Sequence, residues 1–266
     1  MIKLFTVAIV LFAIYLFLIA PKNEKKMEKY KKVYYAHRGL HNSERAENSM
    51  SAFKAAVEHG YGIELDIRLS KDGKLVVFHD DTLDRVCGRE GKVIDFTADE
   101  LAGFKLSETS DGIPLFSDVL ALVDGKVPLL VEIKENPGIS AVSEATSEIL
   151  KSYKGEFIIE SFNPISLRNV KKRTPEFIRG ILSHRYYEDD NLRKPLYFLL
   201  QSLLFNFICR PAFIAYDHRH ANSFALRFVR AFFSVPTIAW TVRSAKEEEE
   251  ARKNGFDGII FENYLP

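Results

Sequence analysis

Eight short runs rich in β-branched and aromatic residues, separated by segments that read as capped helices, constrain this chain more than any other feature. They are VYYAH (33–37), GIELDI (62–67), LLVEI (129–133), FIIES (157–161), IRGIL (178–182), AFIAYD (212–217), TIAWTV (237–242) and GIIFE (258–262). Between them, Asn163-Pro164 puts a cap before a proline at the first helical position. Ser244 to Glu247 forms a capping box whose helix stops at Asn254-Gly255. Strands that alternate with helices pair in parallel, so the pattern predicts an α/β chain folded as a (β/α)8 TIM-type barrel. Reactive groups in such a barrel sit at the C-terminal ends of the strands. With 266 residues, 47% of them hydrophobic, the chain can bury a core of that size in one domain.

Two segments depart from strict alternation. VVFHD (76–80) follows the second strand through Ser70-Lys71-Asp72-Gly73, too short for a parallel crossover, so these two arms are expected to pair as an antiparallel hairpin. Residues 81–128 then read as a small insertion, with a capping box from Thr97 to Glu100. The barrel is expected to run over 33–266. No residues remain after the last strand for an eighth helix, so its groove is expected to stay open or to be covered by the segment near Met27 to Tyr30.

Residues 4–20, LFTVAIVLFAIYLFLIA, contain no charge and nearly match a bilayer in helical length. They predict a transmembrane anchor over 1–21, followed by a basic linker over 22–32. Six lysines in PKNEKKMEKYKK place the barrel on the cytoplasmic side of a single-pass cell-membrane protein by the positive-inside rule. A second membrane contact is expected from the apolar helices near 195–210 and 222–233, with Arg193, Lys194, Arg210, Arg227 and Arg230 reaching lipid phosphates; burial of these helices against the barrel is the competing reading. Lys plus Arg at 37 against Asp plus Glu at 36 gives a net charge of +1, and no basic run is interleaved with stacking aromatics, which argues against nucleic acid as a partner. Cys87 and Cys209 lack metal or redox spacing and read as packing residues.

Chemistry concentrates in YGIELDIRLSKDGKLVVFHD (61–80). Residues two apart on a strand share a face, so Glu64 and Asp66 point the same way, and the hairpin returns His79 beside them. Glu132 and Lys134 repeat this spacing at the end of the third barrel strand, and the first ends in His37-Arg38-Gly39. Three carboxylates facing one point repel unless a cation lies between them, and an all-oxygen set suits one hard divalent ion, Mg²⁺ or Ca²⁺. A bland alternative pairs Glu64 with Arg68 or Lys74 on an exposed hairpin. His37 and His79 both end strands beside carboxylates and cations, the setting of catalytic rather than structural histidines.

The motifs AHRG, AENSMSAF, GIELDIRLSKDGKLVVFHDDTLDR, VEIK, IIESF, AWTV and NGFDGII, in that order over roughly 33–266, resemble those of the glycerophosphodiester phosphodiesterase family. The resemblance implies a metal-dependent enzyme that hydrolyses a glycerophosphodiester to glycerol 3-phosphate and an alcohol. By motif, it implies His37 and His79 as the acid/base pair, Glu64, Asp66 and Glu132 as metal ligands, and Arg38 and Lys134 as phosphate contacts. Glu47 and Trp240 are implied to line the substrate pocket. The chain departs from the family pattern at Ala46, Arg243 and Phe261-Glu262. Two alternatives stand beside this reading: a lysophospholipase D acting on lysophospholipids, and a non-catalytic barrel that only binds glycerophosphodiesters. The second would be marked by loss of a histidine or carboxylate, and none is lost.

Overall fold

The computed structural model describes residues 2–135, 140–188 and 194–266. Its strands are β1 (Tyr34–Ala36), β2 (Gly62–Leu69), β3 (Leu75–Val77), β4 (Leu129–Ile133), β5 (Phe157–Ser161), β6 (Arg179–Ser183), β7 (Phe213–Asp217), β8 (Thr237–Val242) and β9 (Gly258–Phe261). All except β3 are parallel, and β1 pairs with both β2 and β9, which closes the eight parallel strands into a barrel. β3 is the returning arm of the expected hairpin, antiparallel to β2 with Arg68 opposite Val76.

Period-two alternation divides the apolar residues into two layers. Ile63, Leu65 and Ile67 of β2 and Leu129, Val131 and Ile133 of β4 face outward into the main core under the helices. Tyr35, Leu130, Ile158, Leu182, Phe213, Ile238 and Ile260 face inward and fill the barrel. Met27 and Tyr30, in the 3₁₀ turn Lys25–Tyr30, join this inner cluster, and the Tyr30 hydroxyl donates to the Phe157 carbonyl at 3.2 Å. They therefore plug the interior rather than cover the groove beside β9. There Tyr61 and Tyr264 pack edge-on against Phe261, with centroids 4.9 and 5.8 Å away.

The first eight helices of the body are α2 (Met50–Glu58), α3 (Asp84–Cys87), α4 (Ala98–Ala102), α5 (Phe116–Val123), α6 (Ala141–Ser152), α7 (Pro164–Arg173), α8 (Pro195–Gln201) and α9 (Asn206–Cys209). They are followed by α10 (Phe224–Phe233) and α11 (Ala245–Lys253). Asn163 accepts from the Ile165 amide and Thr97 and Glu100 close their box as expected, whereas of the Ser244 box only half forms: Ser244 accepts from the Glu247 amide, but the Glu247 carboxylate accepts from the Arg243 amide instead of that of Ser244. Residues from Leu83 to Ile113 carry a separate small core with Val76 and Phe78, whereas Phe116, Val119, Leu120 and Val123 of α5 pack into the main core.

The expected membrane anchor is corrected. Residues 4–20 do contribute to a helix, α1 (Ile2–Ile19), but among the described residues no helix is long and apolar enough to cross a membrane. Eighteen residues rise about 27 Å, short of a bilayer core of roughly 30 Å. The C-terminal half of α1 is docked on the body. Ile19 is buried, Asn206 donates to its carbonyl at 2.9 Å, and Arg210 donates to the carbonyls of Phe17 and Ala20 at 2.8 and 3.0 Å. Tyr15 packs on Phe228 of α10 with centroids 5.1 Å apart. The single-pass, cell-membrane placement that rested on this anchor falls with it.

The expected lipid contacts of the later helices lack support as well. Arg210 is engaged with α1, and Arg230 donates to Asn254 O and Thr237 Oγ1; Arg193 lies outside the described residues. The apolar stretch from 195 is broken at Leu203, which is buried and has a φ of 58°.

Gly180 shows how tightly the barrel interior is filled. A Cβ there would lie 2.2 Å from the ring of buried Phe213 on the neighbouring strand. Gly180→Ala is expected to destabilise the fold by about 1–3 kcal/mol through overpacking. Urea unfolding checks this, and an unchanged midpoint would show that the Phe213 ring can move aside.

Candidate active site

Strand register assembles the site. Asp66 of β2 is level with Glu132 of β4, which is level with Glu160 of β5, so three inward carboxylates form one row at the C-terminal mouth of the barrel. Glu64 lies one pleat deeper, beside the apolar layer. All four are buried. One ligand oxygen from each of Glu64, Asp66 and Glu132 falls within a cluster 4.8 Å across. His37 and Arg38 enter from the end of β1, His79 from the end of β3, Lys134 from the end of β4 and Trp240 from β8. Together with Phe162, Thr241 and Arg243 they line a cavity of about 250 Å³.

Two cations partly balance the carboxylates. Lys134 Nζ lies 2.8 Å from Glu132 and 3.2 Å from Asp66. Arg38 Nε lies 3.4 Å from Asp66, while its backbone amide donates to Glu64 at 2.9 Å. That amide is aimed by a φ of 56°, left-handed backbone that a non-glycine residue adopts at some strain. Asn48, also left-handed, donates to Asp66 at 2.8 Å. Burial alone would raise the Asp66 carboxyl, yet Lys134, His79 and Arg38 outweigh it and hold Asp66 well below the usual range. The cations do not suffice for its neighbours. Burial, reinforced by Asp66 and Glu132, pushes Glu64 well up. Burial, reinforced by Asp66 against the pull of Lys134, lifts Glu132 to about 7. Burial also raises Glu160 well above its ordinary value. Buried acids raised in this way mark a site short of positive charge, and an oxygen-only donor set of this size fits a divalent cation.

Each histidine is backed by a carboxylate. His37 Nδ1 is 2.6 Å from Glu262 Oε2, and His79 Nδ1 is 2.6 Å from Asp80 Oδ1. An ionised carboxylate only accepts, so Nδ1 carries the proton in both rings and Nε2 is the nitrogen left for exchange. His37 in turn holds Glu262 down at about 2. His37, His41 and Glu262 also cluster as a possible ligand set, but a 2.6 Å separation is that of a hydrogen bond.

All the residues expected at the site converge, with one difference. Glu47 stands behind Arg38 instead of lining the cavity: it accepts from Arg38 at 2.7 Å and from both terminal nitrogens of Arg85 at 2.7 and 2.8 Å. Arg85 also donates to Asp80 at 2.6 Å, so one chain of charges ties Arg38 to the His79 carboxylate. Sequence reasoning did not assign roles to Glu262, Asp80, Asn48, Glu160 or Arg85. The position of Glu262 just after the last strand was the available signal, since that end of the barrel carries reactive groups.

A parallel barrel with acidic, basic and imidazole groups at its C-terminal mouth defines a hydrolase-type site for an anionic substrate. The chain matches the glycerophosphoryl diester phosphodiesterase family over residues 37–264, and it belongs to that family and is a phosphodiesterase. It is 36% identical over 245 residues to the glycerophosphodiester phosphodiesterase of Caldanaerobacter subterraneus subsp. tengcongensis, covering 86% of this chain and 93% of that protein. Its fold is similar to that of an Oleispira antarctica phosphodiesterase solved in complex with the product sn-glycerol-3-phosphate, with a TM-score of 0.73, 20% identity, and 88% and 94% of the two chains covered. The glycerophosphodiester phosphodiesterase from Thermotoga maritima is also similar, with a TM-score of 0.66, 27% identity, and 86% and 94% covered.

The Glu262 contact makes a signed prediction. Burial lowers the His37 pKa and Glu262 opposes that shift, so Glu262→Gln removes an interaction that favours imidazolium. His37 should then titrate at lower pH than in the parent, read by NMR of the ring nitrogens. An unchanged or higher titration point would show that Glu262 does not support His37.

Proposed function

We propose that this protein hydrolyses glycerophosphodiesters to glycerol 3-phosphate and an alcohol. One observation carries the reading: three carboxylates deficient in positive charge, two carboxylate-backed histidines and two cations line or adjoin the same cavity. Family membership and the product named for the Oleispira antarctica protein support the same substrate.

Glu64, Asp66 and Glu132 would hold one divalent ion, Mg²⁺ or Ca²⁺, which when bound supplies charge neutralisation to a phosphoryl oxygen and lowers the pKa of a nearby hydroxyl. Arg38 and Lys134 bind the remaining phosphate oxygens, and charge-assisted hydrogen bonds from them strengthen as negative charge builds at phosphorus. One histidine accepts the proton of the attacking oxygen at Nε2, from water or from the glycerol 2-hydroxyl; on the second route the alcohol leaves a cyclic glycerol phosphodiester, which water then opens to glycerol 3-phosphate in a second step using the same pair. The other gives its Nε2 proton to the departing alkoxide as the phosphorus–oxygen bond breaks. Glu262 and Asp80 keep each ring oriented and stabilise its imidazolium form. Trp240, packed edge-on against Phe162 with centroids 5.6 Å apart, walls the cavity on the organic side of the substrate.

Turnover of glycerophosphocholine to glycerol 3-phosphate in Mg²⁺ or Ca²⁺ tests this directly. Excess chelator and Asp66→Asn should each abolish it with the fold intact by circular dichroism; undiminished turnover in chelator would refute the metal role. His37→Ala and His79→Ala should each lower kcat by at least ~10²-fold, the scale of a general acid or base. A variant near the parent rate would make its histidine structural.

A further inference from the structure

A second cluster of potential ligands lies on the rim of the catalytic mouth, apart from the carboxylate row. His37 ends β1, His41 follows in the loop before α2, and Glu262 follows β9. One ligand atom from each lies within 4.8 Å of the other two. While Nδ1 of His37 carries its proton, the 2.6 Å contact with Glu262 is a hydrogen bond. His41 has no such explanation. It is partly buried and stands against this pair, yet among the described residues its ring makes no hydrogen bond or ion pair. Glu262 is held from its other side: Oε1 accepts from Asn263 at 3.1 Å and lies 3.4 Å from Arg243 Nε, while Oε2 is the oxygen turned to His37. Outer contacts of this kind orient a ligating carboxylate.

Two imidazoles and one carboxylate select a different ion from the oxygen-only row. Carboxylate oxygen suits Mg²⁺ and Ca²⁺, whereas imidazole suits zinc. Two histidines and a glutamate with a fourth position open form a recurrent zinc coordination. Ligand atoms 2.0–2.1 Å from a tetrahedral zinc lie roughly 3.3 Å apart, so His37 and Glu262 would part slightly and His41 would close in. Two cations oppose the ion. Arg243 beside Glu262 is half-exposed, so water screens it, and Arg38 is already shared between Glu47 and Asp66.

We propose that His37, His41 and Glu262 form an inhibitory site for Zn²⁺, distinct from the site of the divalent ion used in the reaction. Whichever nitrogen of His37 takes the ion, the one proton of the neutral ring sits on the other. No nitrogen is then left to accept a proton, and the ring can no longer cycle between its two forms. Glu262, drawn onto the ion, also ceases to orient His37. Binding needs only these three side chains, whereas its inhibitory consequence rests on the acid/base role proposed above for His37.

The test titrates Zn²⁺ into the full chain with Mg²⁺ or Ca²⁺ held in excess, followed by calorimetry and by glycerophosphocholine turnover. The parent should bind one Zn²⁺ and lose turnover, and more Mg²⁺ or Ca²⁺ should not restore it. His41→Asn and His41→Gln should turn over at the parent rate without zinc, which also reports an intact fold. In both, zinc affinity and the half-inhibiting concentration should weaken by at least ~10-fold, since even an outer-shell partner of a metal ligand is worth about 10–100-fold in affinity. Zinc binding and inhibition unchanged in both variants, or inhibition reversed by excess Mg²⁺ or Ca²⁺, would place the ion in the carboxylate row and overturn the site. Zinc bound through His41 with turnover undiminished would overturn the inhibitory role. If no protein turns over the diester, the proposed reaction fails, and the calorimetric titrations still decide whether His41 holds zinc.

Discussion

The row formed by Asp66, Glu132 and Glu160, with Glu64 beneath it, is the interaction on which the rest of the site depends. Unit charges about 4 Å apart interact by roughly 4 kcal/mol at the effective dielectric of a protein site, so four ionised carboxylates here would be strongly destabilising. Arg38 and Lys134 relieve only part of this. Asp66 draws on Lys134, His79 and Arg38 together and is held well below the usual range, whereas Glu64, Glu132 and Glu160 rise toward protonation. Protonation and a bound divalent cation are alternative ways of relieving that repulsion. The two cations that oppose the carboxylates also face the cavity.

The barrel makes so concentrated a site tolerable. Its interior below the row is filled by Tyr35, Leu130, Ile158, Phe213 and Ile238 and plugged by Met27 and Tyr30. Water thus reaches the acidic row from the mouth, where the substrate also enters. Around the rim, Glu262 and Asp80 fix the two imidazoles, and Arg85 with Glu47 braces Asp80 and Arg38 from behind. These outer contacts hold side chains that would otherwise lose rotamer entropy on ordering, and a site built on strand ends keeps its geometry through the sheet.

Much of this could be read from the chain. The eight runs proposed as parallel strands all form within a residue or two of their expected bounds, and the hairpin returns His79 beside Asp66, because both depend on local period and turn chemistry. Contacts between distant residues could not be read locally. Glu160 stands level with Glu132 only through strand register, Glu262 meets His37 across 225 positions, and Arg85 meets Glu47 across 38. The N-terminal helix failed for a related reason. An apolar run of that length does not by itself fix where the helix lies; the helix stops at Ile19, and its C-terminal end is held by Asn206 and Arg210, far along the chain.

Isothermal titration of Mg²⁺ or Ca²⁺ into the protein near pH 6, repeated in buffers of different ionisation enthalpy, tests the central claim most directly. Glu132, lifted to about 7, is largely protonated at that pH in the free site, and burial shifts Glu64 in the same direction, so protons must leave for a cation to bind. Binding should therefore release protons, with an apparent enthalpy that varies with the buffer, and Asp66→Asn should weaken it. Binding with no proton release, or no saturable binding at all, would contradict a carboxylate row built to hold a divalent ion.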